Sequence, residues 1–270
     1  MADKNCFEPL HKAHAIEQVI FSISFASEIS DEKLAAIKTA LPKSAALPHR
    51  APIRIVAFQL GGPPPSGPAP VVGYIYSRAT DDDTVVEELR IERSSITYKT
   101  LLYQGWAEHW PSVKSYLRTL LPFYEEAPFK ELSLLYIDKF IWNGQRESSD
   151  PRTLLREDSP YLVPNVYNAP DLWHSHTGAF LRIDDSTRRL EGVEVEYVDL
   201  MKEAHKHKAV VVKINLTDTI NIDGYKPLDL DKDETFEFID QHMEKLHVLN
   251  KKILGSIVID DMCKRIALEG

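Results

Sequence analysis

The chain has 270 residues, 43% of them hydrophobic and 27% charged, with a formal net charge of −9. That length and apolar content support one large core or two modest ones and argue against a disordered chain. The acidic balance argues against a general nucleic-acid-binding surface, and no run reaches the roughly 18 apolar residues that a membrane-spanning helix needs.

Cys6 and Cys263 lie near opposite ends of the chain, with neither zinc-site spacing nor a framework of paired bridges. Met1 to Cys6 lacks the apolar core of a signal peptide. A reducing, cytoplasmic setting is therefore the expectation, with Cys6 in a mobile terminus.

In chain order, Gln18 to Phe25 alternates Val19, Phe21, Ile23 and Phe25 with Ile20, Ser22 and Ser24, which predicts a strand. Ser30-Asp31-Glu32-Lys33 reads as a capping-box pattern before Leu34, Ile37 and Leu41 at helical spacing, and Pro42 ends that helix. A strand over Ile53 to Leu60 leads into the loop Gly61 to Pro68, whose prolines remove the backbone donors that a phosphate cradle needs. Val71 to Arg78, Val86 to Glu92 and Ile96 to Leu102 then predict an antiparallel meander, joined at Asp81-Asp82-Asp83 and Ser94-Ser95.

Tyr103-Gln104-Gly105-Trp106 opens the best-patterned helix, with Trp106, Trp110, Val113, Leu117, Leu120, Leu121 and Tyr124 on one stripe. Gly105 is expected to turn the chain sharply and Trp106 to bury its ring at that corner. Pro111 predicts a late start or slight kink, and Pro122 a bend or an end.

Leu132 to Trp142 is apolar enough for a central strand, and Asn143-Gly144 turns it out. A short helix is expected at Asp150-Pro151, then an irregular segment with Pro160, Pro164 and Pro170. Phe180 to Asp184, Leu190 to Val198 and Val210 to Leu216 read as strands. After a loop with Asp229, Asp231 and Asp233, a long helix carries Phe236, Ile239, Met243, Leu246, Leu249, Ile253 and Ile257 on one face.

The order of elements recurs. It predicts an α+β fold of two successive β-α-β-β-β-α halves, 1–128 and 129–270, packed as one compact unit, the second half with a short helix in place of its first helix. Each antiparallel sheet is expected to be covered by a long helix, in a helix-grip or saddle-like arrangement.

Few patterns carry chemistry. His174-Ser175-His176 and His205-Lys206-His207 would each put two imidazoles on one face of a strand, but the second pair is in a lysine-rich loop and the first lacks a nearby carboxylate at a fixed helical or strand spacing. Glu194-Val195-Glu196 resembles the start of a Glu-x-Glu-x-Lys metal-phosphate signature with Val198 in place of the lysine, and reads as a solvated hairpin face. Arg188-Arg189 reads as a hairpin tip. No Gly-x-Ser-x-Gly elbow, Walker loop or His-Glu-x-x-His helix is present, so no catalytic residue, metal or cofactor is expected.

Tyr103-Gln104-Gly105-Trp106, the strand around Leu134-Leu135-Tyr136-Ile137-Asp138, and Leu246-His247-Val248-Leu249-Asn250 together resemble a sporadically distributed family of conserved hypothetical proteins found in scattered bacteria and archaea. The family usually has an arginine before the tyrosine and an asparagine near the end of the middle strand, where this chain has Leu135 and Asp138. The resemblance implies a patchily transferred gene, as among defence and toxin-antitoxin accessories, and no established reaction.

The functional expectation is a non-enzymatic protein-interaction or regulatory protein, antitoxin-like or defence-associated. It would bind a protein partner, a second copy of itself being one option, with no nucleic acid and no membrane. The alternative is a small-ligand binder or enzyme with a cavity between sheet and helix, its hook being Tyr98, Lys99, Tyr136 and Asp138 on otherwise apolar strands. The candidate site residues are Tyr103, Gly105, Trp106, Trp110, Tyr136, Asp138, His247 and Asn250.

Overall fold

The structure is a computed structural model and describes residues 6–55, 69–169, 171–202, 205–220 and 232–268. The predicted strand beyond Ile55, the loop Gly61 to Pro68, and Pro170, Asp229 and Asp231 lie outside the described residues. The chain runs through β1 (Cys6–Pro9), β2 (Ile16–Phe25), α1 (Asp31–Ala40), β3 (His49–Arg54), β4 (Val71–Ala79), β5 (Val85–Glu92), β6 (Ser95–Thr100) and α2 (Trp106–Leu120). It continues with β7 (Phe129–Asn143), β8 (Trp173–Arg182), β9 (Thr187–Lys202), β10 (His205–Ile220), α3 (Lys232–Ile257) and α4 (Asp260–Arg265). The fold is mixed α+β, with ten strands in antiparallel ladders and four helices among the described residues. No helix among the described residues is long and apolar enough to cross a membrane.

The chain divides into two compact units. One, here the meander unit, comprises Ile20–Leu132 and Ile220–Asp240. The other, the long-strand unit, comprises Met1–Val19, Ser133–Thr219 and Gln241–Gly270. Strands β2 and β7 and helix α3 each contribute one end to each unit.

In the meander unit the strand order is β3-β4-β5-β6-β2, with β2 then paired to the start of β7. Alternation buries Phe21, Ile23 and Phe25 of β2, Leu89 and Ile91 of β5, and Ile96 and Tyr98 of β6. Helix α2 buries Trp110, Val113, Leu117 and Leu120, and Phe21 stacks on Trp110 with centroids 5.6 Å apart. Ser30 caps α1 by accepting from the Lys33 N–H at 3.2 Å. The reciprocal half of a capping box is missing, because Lys33 stands where a carboxylate would reach back. Helix α2 begins at Trp106 and passes through Pro111, so the predicted late start is not seen. Pro122 does end it, in a 3₁₀ turn over Leu121–Tyr124. Four strands, not three, separate α1 from α2.

In the long-strand unit the order is β2-β7-β10-β9-β8, and β1 pairs with the last residues of β7. Cys6 lies in β1 opposite Asn143, which corrects the expectation of a mobile terminus. Phe7 beside it sets its ring against the edge of Trp142 at 5.1 Å. Strand β8 begins at Trp173, well before the predicted Phe180. It is an edge strand with little burial, so it carries no clear alternation to read. Arg188-Arg189 does lie at the turn end of the β8–β9 hairpin, Arg188 opposite Arg182, and Arg189 forms a two-pronged pair with Asp218, Nε to Oδ1 at 2.7 Å and Nη2 to Oδ2 at 2.8 Å. Asp218 is 1% exposed.

Candidate functional site

Strand β7 buries every second residue, so Leu134, Tyr136, Asp138, Phe140 and Trp142 share one face. On α3, His247, Asn250, Lys251 and Leu254 follow one another at helical spacing and share one stripe. Within the long-strand unit these two surfaces border a cavity of about 40 Å³, lined by Tyr136, Asp138, His247 and Asn250 together with Ala15, Leu254 and Ile266. Half-exposed His14, Lys251 and Leu268 line it on the solvent side. Lys251 and Leu268 also border a larger cavity of about 320 Å³ with Arg156, Val248 and Lys252.

The polar groups in the small cavity are unequally provided for. The Tyr136 hydroxyl lies 3.0 Å from His247 Nδ1, and Asn250 Nδ2 donates to the Ile214 carbonyl at 3.5 Å. Asp138 is 1% exposed, and neither of its carboxyl oxygens has a hydrogen-bond partner among the described residues. Burial without compensation pushes its pKa up to about 7. His247 moves the other way, because burial, aided by the Lys251 charge, lowers its pKa to about 4. Near neutral pH the cavity therefore holds a neutral imidazole and a carboxyl group able to give or take a proton. A ligand donating a hydrogen bond would satisfy Asp138, which the described residues leave unmet.

The other candidates gather at the start of α2 in the meander unit. Gly105 precedes the helix at φ 139° and ψ 157°, a conformation that glycine alone adopts readily. His109 Nδ1 accepts from the Gln104 N–H at 3.3 Å, and Tyr103 lies over the same imidazole at 5.3 Å. Trp106 is only partly buried, its ring packed on Phe21 at 5.8 Å and stacked on Trp110 at 5.1 Å, while Trp110 is the ring fully in the core at 3% exposure. Trp110 Nε1 donates to Asp240 Oδ1 at 2.5 Å, and Lys114 Nζ meets the other carboxylate oxygen at 3.1 Å. These groups are packed and mutually satisfied. Tyr98 likewise donates to Glu87 at 2.5 Å, and neither it nor Lys99 lines the small cavity.

Two motifs that look separate in sequence meet across a ladder. Register sets His174 opposite Glu196 and His176 opposite Glu194, so the histidine pair does have carboxylates beside it. Lys213 Nζ sits 3.3 Å from Glu194 and 3.1 Å from Glu196, placing an ammonium where these carboxylates would otherwise meet a cation. His14 and Lys251 are pocket residues that sequence reasoning did not single out. Lys251 was within reach of it, being the next residue after Asn250 on the same stripe.

No family model and no curated protein matches the chain. Among solved structures, the crystal structure of the di-domain ARO/CYC StfQ from the steffimycin biosynthetic pathway aligns over 88% of this chain and 96% of that one, at 10% identity and a TM-score of 0.14. A superposition that poor carries no argument about fold or function.

Proposed function

We propose that this protein binds a small polar ligand in the β7–α3 pocket, the ligand presenting a hydrogen-bond donor such as an amine, amide or hydroxyl to Asp138. The observation that carries this reading is the buried Asp138 carboxyl, unpartnered in a cavity beside the Tyr136–His247 contact. A cavity of about 40 Å³ admits only the tip of such a molecule. Its body would lie toward Lys251 and the larger cavity. The reading goes with a helix-grip type of arrangement in two halves, with membership of the scattered family described above, and with a reducing cytoplasmic setting for Cys6 and Cys263, which form no disulfide.

The test is a thermal-shift and calorimetric screen of small amines, amides and alcohols against the wild type and Asp138→Asn. A compound that stabilises the wild type and loses its effect in the variant supports the proposal. An experimental structure with ordered water satisfying both Asp138 oxygens, together with an empty screen, would sink it.

The protein-interaction reading has its own observation. Strand β8 ends the ladder of its unit, and Phe180, Leu181 and Ile183 at its far end are 68%, 41% and 45% exposed. Pairing with the same edge of a second copy would cover them. Concentration-dependent dimerisation in sedimentation, abolished by Phe180→Glu, supports that reading, and a monomer at every concentration removes it.

A further inference from the structure

We propose that a second cleft in the long-strand unit, under the loops between β7 and β8, binds a neutral polyhydroxylated ligand, a saccharide unit, with Trp173 as its stacking platform. The cleft is separate from the Asp138 pocket and shares no lining residue with it. Its volume is about 440 Å³, and its charged lining consists of Arg146, Arg152 and Lys208 against Glu147, Asp150 and Asp171. That is the size of a small-molecule site.

The charge pattern narrows the ligand. Each cation is already neutralised by the protein. Arg146 holds Asp199 through Nε at 3.2 Å and Nη2 at 2.6 Å. Lys208, whose side chain is 6% exposed, lies 2.5 Å from Asp171 and 3.4 Å from Asp199. Arg152 lies 3.7 Å from Asp150 and 3.4 Å from Glu157. With three cations set against the carboxylates of Glu147, Asp150, Glu157, Asp171 and Asp199, a phosphate or carboxylate ligand would find no surplus positive charge. What these pairs do present is a fixed array of donors and acceptors whose outer atoms face the cleft. The Asp171 side chain is 68% exposed and that of Arg146 39%, so each keeps hydrogen-bonding capacity beyond its own partner. The Lys208 hydrogen bond holds the Asp171 carboxyl below the usual range, which leaves it a pure acceptor for hydroxyl groups.

The aromatic rings narrow it further. The guanidinium of Arg152 lies over Tyr167 at 5.3 Å, and the Lys208 ammonium over Tyr197 at 5.1 Å, so each tyrosine has one face taken. Trp173 is half-exposed, tilted against Tyr197 at 6.2 Å, and its indole N–H donates to no protein atom among the described residues. It offers a large apolar surface with a polar edge. Saccharides combine the features this lining complements: an apolar C–H face for a ring, and hydroxyls that donate to carboxylates while accepting from guanidinium and ammonium groups.

The test is calorimetry and ligand-observed NMR with glucose, galactose, mannose, N-acetylglucosamine and cellobiose, with AMP and inorganic phosphate as anionic probes. The expected result is binding of at least one saccharide, little changed by salt, and weakened about tenfold or more by Trp173→Ala and by Asp171→Asn. Asp171 is exposed enough that its variant keeps the test alive if Trp173→Ala fails to fold. Binding of none of the sugars overturns the proposal, as does sugar binding that both variants leave intact. Salt-sensitive binding of AMP or phosphate in preference to the sugars overturns it equally.

Discussion

The hydroxyl of Tyr136 on β7 lies 3.0 Å from Nδ1 of His247 on α3, tying strand to helix beside the unpartnered Asp138. Tyr136 is 2% exposed and His247 half-exposed, so the contact is shielded from water on the strand side. Tyr136→Phe removes it with almost no change in volume. The expected loss is about 1 kcal/mol in urea denaturation. An unchanged midpoint would show that the contact contributes nothing to stability.

Asp138 and His247 should drive opposite pH dependences. The folded protein holds the Asp138 proton up to about pH 7, against an ordinary value of 3.8, so its contribution is full at low pH and lost as pH rises through that window. The loss is on the order of 4 kcal/mol. The folded pKa of His247 is lowered to about 4 from 6.5, so its contribution is full above pH 6.5 and lost as pH falls. Relative to wild type, Asp138→Asn should gain stability with rising pH between 4 and 7, and His247→Gln should lose it. Stability profiles that run parallel in all three proteins would refute this assignment.

Trp110→Ala should cost about 3–5 kcal/mol, since it empties a core position and strips Asp240 of an indole donor. Trp106→Ala should cost less, because its ring is only partly buried. Equal losses of melting temperature in the two variants would return Trp106 to the core.

Gly105→Ala is a backbone experiment. A Cβ there would meet nothing within 4 Å, so any destabilisation comes from the φ of 139° alone. A loss of about 1–3 kcal/mol is expected, and a neutral result would mean that the corner adopts another conformation without cost.

Local period was enough to place β2, β5, β6, α2 and most of β7, because each packs one face against a core and so shows its alternation or stripe in the residue order. The same arithmetic put Tyr136 and Asp138 on one face, and His247 and Asn250 on one stripe. It could not locate β1, only four residues long, or the start of β8, an exposed edge. Those strands exist because β7 and β9 offer them backbone partners, and partners distant in sequence leave no local pattern. Trp106 and Trp110 lie on the same stripe and both rings pack against Phe21, yet it is Trp110 whose indole reaches Asp240 and is the more deeply buried.

What the sequence by itself determined is which side of each element is apolar and which polar residues interrupt it. Only the tertiary structure decided that the interrupted face of β7 meets the interrupted stripe of α3, that Asp138 receives no donor from the described residues there, and that Glu194 and Glu196 close on Lys213 beside the His174 and His176 strand. Periodicity records that a side chain is covered. What covers it depends on contacts between residues far apart in the chain.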